Sequence, residues 1–411
     1  MRLPLIPPHV EVTPELLWVL SRAFSPLGSW SGPLPDRGGA WRLAEALDLS
    51  CRIGWRVPRT QLAREVGEEV ASKFVAGYHD AAASALLIRA VAQEVASELR
   101  GAGFEGVLLK SNALALGGIT AFGARRFMDV DILVPQQQAH EVRGVLVAKK
   151  YRSPRGRDGA HQLSSLFHPT GVMVEIHTHV KHMRLAHGEG WMRFEDLERG
   201  GLLHQLPGMA GIWIPSLEFL AGHALVHGVV QHWRQVGDYP LMRLPADLQD
   251  IEAGWQASSR LEEAIAPWLA AEKADVEGQA VMDLIRQLGA GVPWDDGNQI
   301  RKLGGNLFLR HVVATRFDRE YQDAVRAASI LWVDANRSHA VALARKLRNR
   351  LCLSPSSVRN RYGVREGNWV QILVSLWRPF DLAGKFCWLL MKYLLYRWRW
   401  SKERSIAVTG G

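Results

Sequence analysis

Three cysteines in 411 residues (Cys51, Cys352 and Cys387) are too few and too far apart to build a disulfide framework or a zinc ligand set. Such sparse cysteine fits a reducing cytosol. No stretch reaches the ~18 uncharged apolar residues that a membrane-spanning helix requires. The opening "MRLPLIPPHVEV" lacks the uninterrupted apolar core of a secretion signal. There is no internal repeat, no low-complexity tract and no specific nucleic-acid motif. The expected location is the cytoplasm, with the C-terminal tail as the one segment that invites a membrane contact.

What is present is ordinary globular composition, 47% apolar and 22% charged, in a chain long enough for about two or three cores. The net charge of +9 favours anionic partners such as nucleotide phosphates, nucleic acid or lipid headgroups, without choosing among them. Residues 1–79 read as an N-terminal helical region, with Thr13-Pro14 as a cap followed by a proline in the first turn. A long helix follows from Asp80 to Arg100, its Leu87, Val91 and Val95 recurring every four positions until Gly101 and Gly103 stop it.

The period then changes. "GVLLK" (106–110) and "FMDVDILVP" read as strands, and "QQQAHEVRGVLVAKKY" as a helix. "HQLSSLFHP" and "GVMVEIHTHV" form a hairpin joined at Pro169-Thr170-Gly171. The expected class is α/β (α+β), a small mixed-sheet domain over 80–205 embedded in a largely helical chain. A helical domain over 206–340 and a basic, aromatic-rich tail over 341–411 complete the expected organisation.

Asp129 and Asp131 stand one residue apart inside an apolar run. Strand alternation puts both on one face and Val130, Ile132 and Val134 on the other. The bland reading is an edge strand with its acidic face in water. If that face is instead enclosed, two like charges destabilise the fold or lose ionisation unless a cation neutralises them. In "VMVEIHTHV" the same alternation puts Met173, Glu175, His177 and His179 together. If the two strands share a sheet, Asp129, Asp131 and Glu175 make a hard-oxygen site for Mg²⁺ or Mn²⁺. Lys110 and Ser111, where a strand turns directly into a helix, and Arg125 and Arg126, just before the aspartates, are candidate phosphate ligands. A solvated strand-end lysine is the competing reading for Lys110.

The run "LLKSNALALGGITAFGARRFMDVDILVP", then "GVMVEIHTHV", then "LEFLAGHALVHG" before an aspartate-containing helix resembles the uncharacterised nucleotidyltransferase family of the polymerase-beta-like superfamily. The resemblance spans roughly residues 80–250. It matches Lys110 and Ser111 to the family's turn, Arg125 to its arginine and Asp129 and Asp131 to its metal pair. Glu175 and His177 match its later strand and His227 its helix histidine. Ser111 replaces the glycine usual after the lysine, and the spacing from that turn to Asp129 is longer than in the wider superfamily. The resemblance implies Mg²⁺-dependent transfer of a nucleoside monophosphate from an NTP, ATP for example, to an acceptor. That acceptor, a small molecule, saccharide, peptide or protein, is not specified. Asp129 and Asp131 would be catalytic metal ligands and Glu175 a third ligand or the base acting on the acceptor, with His177 and His227 supporting them. A catalytically silent nucleotide- or partner-binding module of the same fold is the alternative.

The fifteen histidines also invite a zinc hydrolase, with His223 and His227 one helical turn apart. "HALVH" lacks the glutamate of H-E-x-x-H and no cysteine is near, so this reading ranks below the other two. In the tail, Arg345, Lys346, Arg348, Arg350, Arg359, Arg361 and Arg365 precede "FCWLLMKYLLYRWRWSKER" (386–404). Packing of the Phe386–Tyr396 helix on the core, docking on an anionic membrane and nucleic-acid binding are the three readings, in that order.

Overall fold

Thr13 caps the first helix as expected: its Oγ1 accepts from the Leu16 N–H at 3.3 Å, and Pro14 takes the first helical position. The computed structural model describes residues 7–25, 30–153, 158–159, 161–184, 190–233, 241–255, 260–291, 293 and 295–325. It also describes positions 384, 387, 388, 391, 394–396 and 405–407. After the short strand β1 (His9–Glu11) come α1 (Pro14–Phe24), α2 (Arg37–Ala46), α3 (Ser50–Arg56), α4 (Arg59–Val66) and the long α5 (Glu68–Gly101). The α/β portion holds β2 (Gly106–Leu108), α6 (Lys110–Leu116), β3 (Asp129–Leu133), α7 (Ala139–Ala148), β4 (Leu166–Phe167) and β5 (Met173–His177). It continues through α8 (Phe194–Arg199), β6 (Leu203–Gln205) and β7 (Ile212–Pro215). Helices α9 (Leu217–Val226), α10 (Arg243–Gly254), α11 (Arg260–Glu272), α12 (Asp275–Gly289), α13 (Gly297–Gly305) and α14 (Leu307–Phe317) follow. Strand β8 (Ser405–Ala407) pairs in parallel with β1.

Six strands form a mixed sheet in the order β4-β5-β3-β2-β7-β6. The β4–β5 hairpin is antiparallel, as its Pro-Thr-Gly turn demands, and β3 lies parallel to β5. The β6–β7 hairpin carries the sheet on to Pro215, so the sequence boundary at 205/206 falls inside it. Those strands escaped notice because "LHQ" and "IWIP" are too short for an alternation signal.

Val130, Ile132 and Val134 pack, fully buried, with Val174 and Ile176 against α5 and α7, whose Ile88, Val91, Val95, Val142 and Leu146 close one face of the sheet. Within α5 the buried stripe runs through Ile88, while Leu87 is exposed, a shift of one position from the spacing read in the sequence. The opposite sheet face looks towards α6, α9 and α10. α9 runs without a break into a π-helical turn, His227–Trp233. Gly228 lets that turn close on α10, since a Cβ there would meet Leu244 Cδ2 at 2.7 Å.

Much of the tail, including Phe386, Leu389 and Arg345–Arg365, lies outside the described residues. Of those described, Tyr396 is buried with its ring 5.7 Å from that of Tyr321, whereas Trp388, Met391, Leu394 and Leu395 are exposed. Among the described residues no helix is long and apolar enough to cross a membrane.

Candidate active site

Parallel pairing of β3 with β5 sets Asp131 directly opposite Glu175 and Leu133 opposite His177. Side chains on the carboxylate face therefore converge by register alone. The His177 ring reaches back along that face, placing Nε2 2.7 Å from Asp131 Oδ1 and 3.6 Å from Glu175 Oε2. Asp131 is only 1% exposed and also accepts from Lys110 Nζ at 2.6 Å. The neutralising cation that the sequence demands is thus supplied by the chain itself.

The turn that delivers Lys110 is stapled to β3 twice. The Leu109 N–H donates to the Asp131 carbonyl at 3.1 Å, and Asn112 Nδ2 donates to the Asp129 carbonyl at 3.0 Å. Lys110 itself has φ +51°, the left-handed region that a branched or bulky residue enters only under constraint. That conformation aims its ammonium at Asp131 instead of along the helix.

These surroundings drive the two aspartates apart. Burial, then the Asp131 charge, pushes the Asp129 carboxyl up to about 6, with Lys110 offsetting part of the rise. Asp131 is more deeply buried, yet its contacts with Lys110 and His177 outweigh desolvation and hold it well below the usual carboxylate range. For His177, burial opposes the charged ring, but hydrogen bonds to Asp131 and Glu175 prevail and raise it. Glu175 is lowered chiefly by His177, and its Oε1 accepts from Gln162 Nε2 and Ser165 Oγ, each at 3.2 Å.

One ligand atom each from Asp131, Glu175 and His177 lie within 4.8 Å of one another, a span that a divalent cation can bridge. The sequence-predicted trio was Asp129, Asp131 and Glu175. The structure brings two of these together, adds His177, and leaves Asp129 outside the group, further along the same strand face. Carboxylate oxygens suit Mg²⁺ or Mn²⁺, and the imidazole favours Mn²⁺ of the two.

Beside this group opens a cleft of about 300 Å³. Lys110, Ser111, Arg125, Arg126, Asp129 and Asp131 form its sheet-side wall, and His223, His227, Gln231 and His232 form the helical wall. Glu175 and His177 are not among the described residues that line it. The two arginines arrive with carboxylate partners. Arg125 is buried and grips Asp247 of α10 through both oxygens, at 2.5 and 2.6 Å. Arg126 is nearly half exposed and pairs with Glu45 of α2 at 3.1 Å. Arg125 therefore ties the sheet to the helical wall, a role that its position before the D-x-D pair did not announce.

On the helical wall burial lowers His223 to about 3 and His232 to about 4, and takes His227 well below its ordinary value. All three are neutral imidazoles at pH 7. Sequence reading did not name Asp247 individually, nor His232 at all. Asp247 has a signal in the aspartate-containing helix of the family pattern. His232 has none, because α-helical counting puts it on another face from His227.

A family-wide sequence profile described as uncharacterised nucleotidyltransferase matches residues 35–259, more than half of the chain. The chain belongs to the uncharacterised nucleotidyltransferase family. No curated protein and no solved structure matches it. In this family member the matched span begins just before α2, takes in the whole six-stranded sheet and ends just beyond α10. Both walls of the cleft, and the Glu45 and Asp247 partners of its arginines, fall inside that span.

Proposed function

We propose that the protein transfers a nucleoside monophosphate from an NTP, ATP being the first candidate, to an acceptor and releases pyrophosphate. The observation that carries this reading is the convergence of Asp131, Glu175 and His177, with Asp129 and Lys110 beside them, along a cleft in a nucleotidyltransferase-family chain. In the reaction an acceptor oxygen attacks the α-phosphorus, the bond to the bridging α–β oxygen breaks, and pyrophosphate departs with that electron pair. Asp131 and Glu175, with His177, would hold a divalent cation, Mg²⁺ or Mn²⁺, which would supply charge neutralisation and acidify the acceptor hydroxyl. Lys110 and Ser111 orient phosphate oxygens, the lysine from a backbone already fixed by its two ties to β3. Arg126, exposed at the cleft, adds a guanidinium for phosphate charge. Asp129, the carboxylate with the raised proton affinity, would take the acceptor's proton, the role that Glu175 would otherwise fill. His177 fixes Asp131 and Glu175 relative to each other, and His227 shapes the acceptor side. The acceptor is a small molecule, saccharide, peptide or protein.

A silent nucleotide- or partner-binding module is the second reading. It is favoured by one observation: Lys110 occupies Asp131, while Arg125 and Arg126 are engaged by Asp247 and Glu45. Incubation with α-labelled ATP and a cell extract should label an acceptor, whereas γ-labelled ATP should not. Transfer from the γ position would make the protein kinase-like and defeat the proposal. Binding of Mg²⁺-NTP with no transfer from any of the four nucleotides would establish the silent module. Contact of residues 386–404 with an anionic membrane is a further proposal, supported by the exposure of Trp388, Met391, Leu394 and Leu395.

A further inference from the structure

The histidine pair on the helical wall has a geometry that nucleotidyl transfer does not explain. In an α-helix five residues advance by roughly 500°, so His227 and His232 would point about 140° apart. The π-helical turn closes i to i+5 instead, and the two rings come to 4.4 Å between centroids. Their Nε2 atoms are 3.3 Å apart. Two imidazole nitrogens bound tetrahedrally to one Zn²⁺ at ~2.0–2.1 Å would themselves be separated by about 3.3 Å.

We propose that His227 and His232 form a second cation site, taking an imidazole-preferring divalent ion of the Zn²⁺ class. The carboxylate group across the cleft selects a hard ion through oxygen. This pair offers two nitrogen atoms, the donor set that transition metals prefer over Mg²⁺. Both rings are half-buried and line the cleft, so an ion held between them would meet the contents of the cleft, water or an anionic group of a bound molecule. Both rings are held neutral, the form in which imidazole ligates metal, although burial alone would produce that. His223, one turn earlier, has its ring 5.9 Å from that of His227, and among the described residues it does not complete a three-ligand group with the pair. Among the described residues the site has two protein ligands. π-Helical turns are rare and occur often at functional sites. Here the turn creates the pair.

The competing account is a plain N–H···N hydrogen bond between neutral rings, and metal binding separates the two. Full-length protein in excess Mg²⁺ should take up Co²⁺ at the histidine pair with visible ligand-field absorption, one equivalent beyond any held by the carboxylate group, and Zn²⁺ should displace it. His232→Ala and His227→Ala should each weaken Co²⁺ binding by roughly tenfold or more. His232→Gln keeps a hydrogen-bonding side chain but not the imidazole ligand, and should weaken it as much. Glu175→Gln should leave it unchanged. In wild-type protein, Zn²⁺ should shift two imidazole Nε2 resonances in ¹⁵N spectra, a readout that needs no variant to fold. Absence of Co²⁺ uptake, uptake indifferent to both His232 substitutions, loss of uptake in Glu175→Gln, or unshifted Nε2 resonances would each overturn the site.

Discussion

Asp129→Asn and Asp131→Asn remove the same charge, one residue apart, and should shift stability in opposite directions. Asp129 titrates at about 6 in the fold against an ordinary value of 3.8. Below about pH 3.8 it is protonated in both the folded and unfolded chain and contributes nothing. Between about 3.8 and 6 the folded chain holds a proton that the unfolded chain releases, so stability falls as pH rises. Above 6 the loss is complete, and some two pH units at 1.36 kcal/mol each make it about 3 kcal/mol. Asp129→Asn should therefore stabilise metal-free protein by up to about 3 kcal/mol at pH 8 and by almost nothing near pH 3.5. Asp131 is the reverse case. Its carboxylate is buried between Lys110 and His177, and its proton affinity is depressed, so its contribution is present above pH 3.8. Removing one partner of a buried pair costs about 3–5 kcal/mol. Lys110 keeps some access to water, with a side chain 26% exposed, so Asp131→Asn should fall near the lower end of that range. Urea unfolding in chelator-treated buffer from pH 3.5 to 8 measures both. Two substitutions with the same sign at pH 8, or an Asp129→Asn gain that does not change with pH, would refute the electrostatic account of this strand.

Other expectations follow from the same contacts. Arg125→Ala strands Asp247 in a buried position and should cost about 3–5 kcal/mol, while Arg125→Lys keeps the charge but not the reach of the guanidinium Nη1 that meets both Asp247 oxygens, and should recover only part; denaturation midpoints decide this. His161 and His232 titrate near about 4, and His223 and His311 near about 3, so from about pH 6.5 downward the unfolded chain binds protons that the folded chain refuses. Stability should fall steadily with pH through that window, and substituting His311 by Gln should make the slope shallower. Truncation after Asp381 removes Tyr396 from Tyr321 and should cost several kcal/mol, on the order of an aromatic-to-alanine core change. If the exposed Trp388, Met391, Leu394 and Leu395 also serve a membrane, full-length protein should sediment with anionic liposomes at low salt and be released as salt screens the basic flanks.

Local periodicity made the centre of the fold legible. Alternation in "DVDILV" and "VMVEIH" assigns both strand faces correctly, because one face is buried against α5 and α7 and a one-residue slip would bury the carboxylates with it. The same alternation brings Asp131 to Glu175, given only that the strands are neighbours. The partners that decide the site's electrostatics arrive from far along the chain, and no local pattern announces them. Asp247 lies 122 residues beyond Arg125, and Glu45 lies 81 residues before Arg126. Lys110 shows most clearly what a strand-end residue conceals. Its identity suggests a phosphate ligand or a solvated charge, and neither reading foresees φ +51° or an ammonium 2.6 Å from Asp131. That conformation exists because Leu109 and Asn112 hydrogen-bond to β3 on either side of the lysine, which strand pairing makes possible and sequence spacing cannot express. The site is therefore assembled in two steps: alternation on β3 and β5 brings the acids together, and the tertiary fold then supplies the cation that lets them stay there.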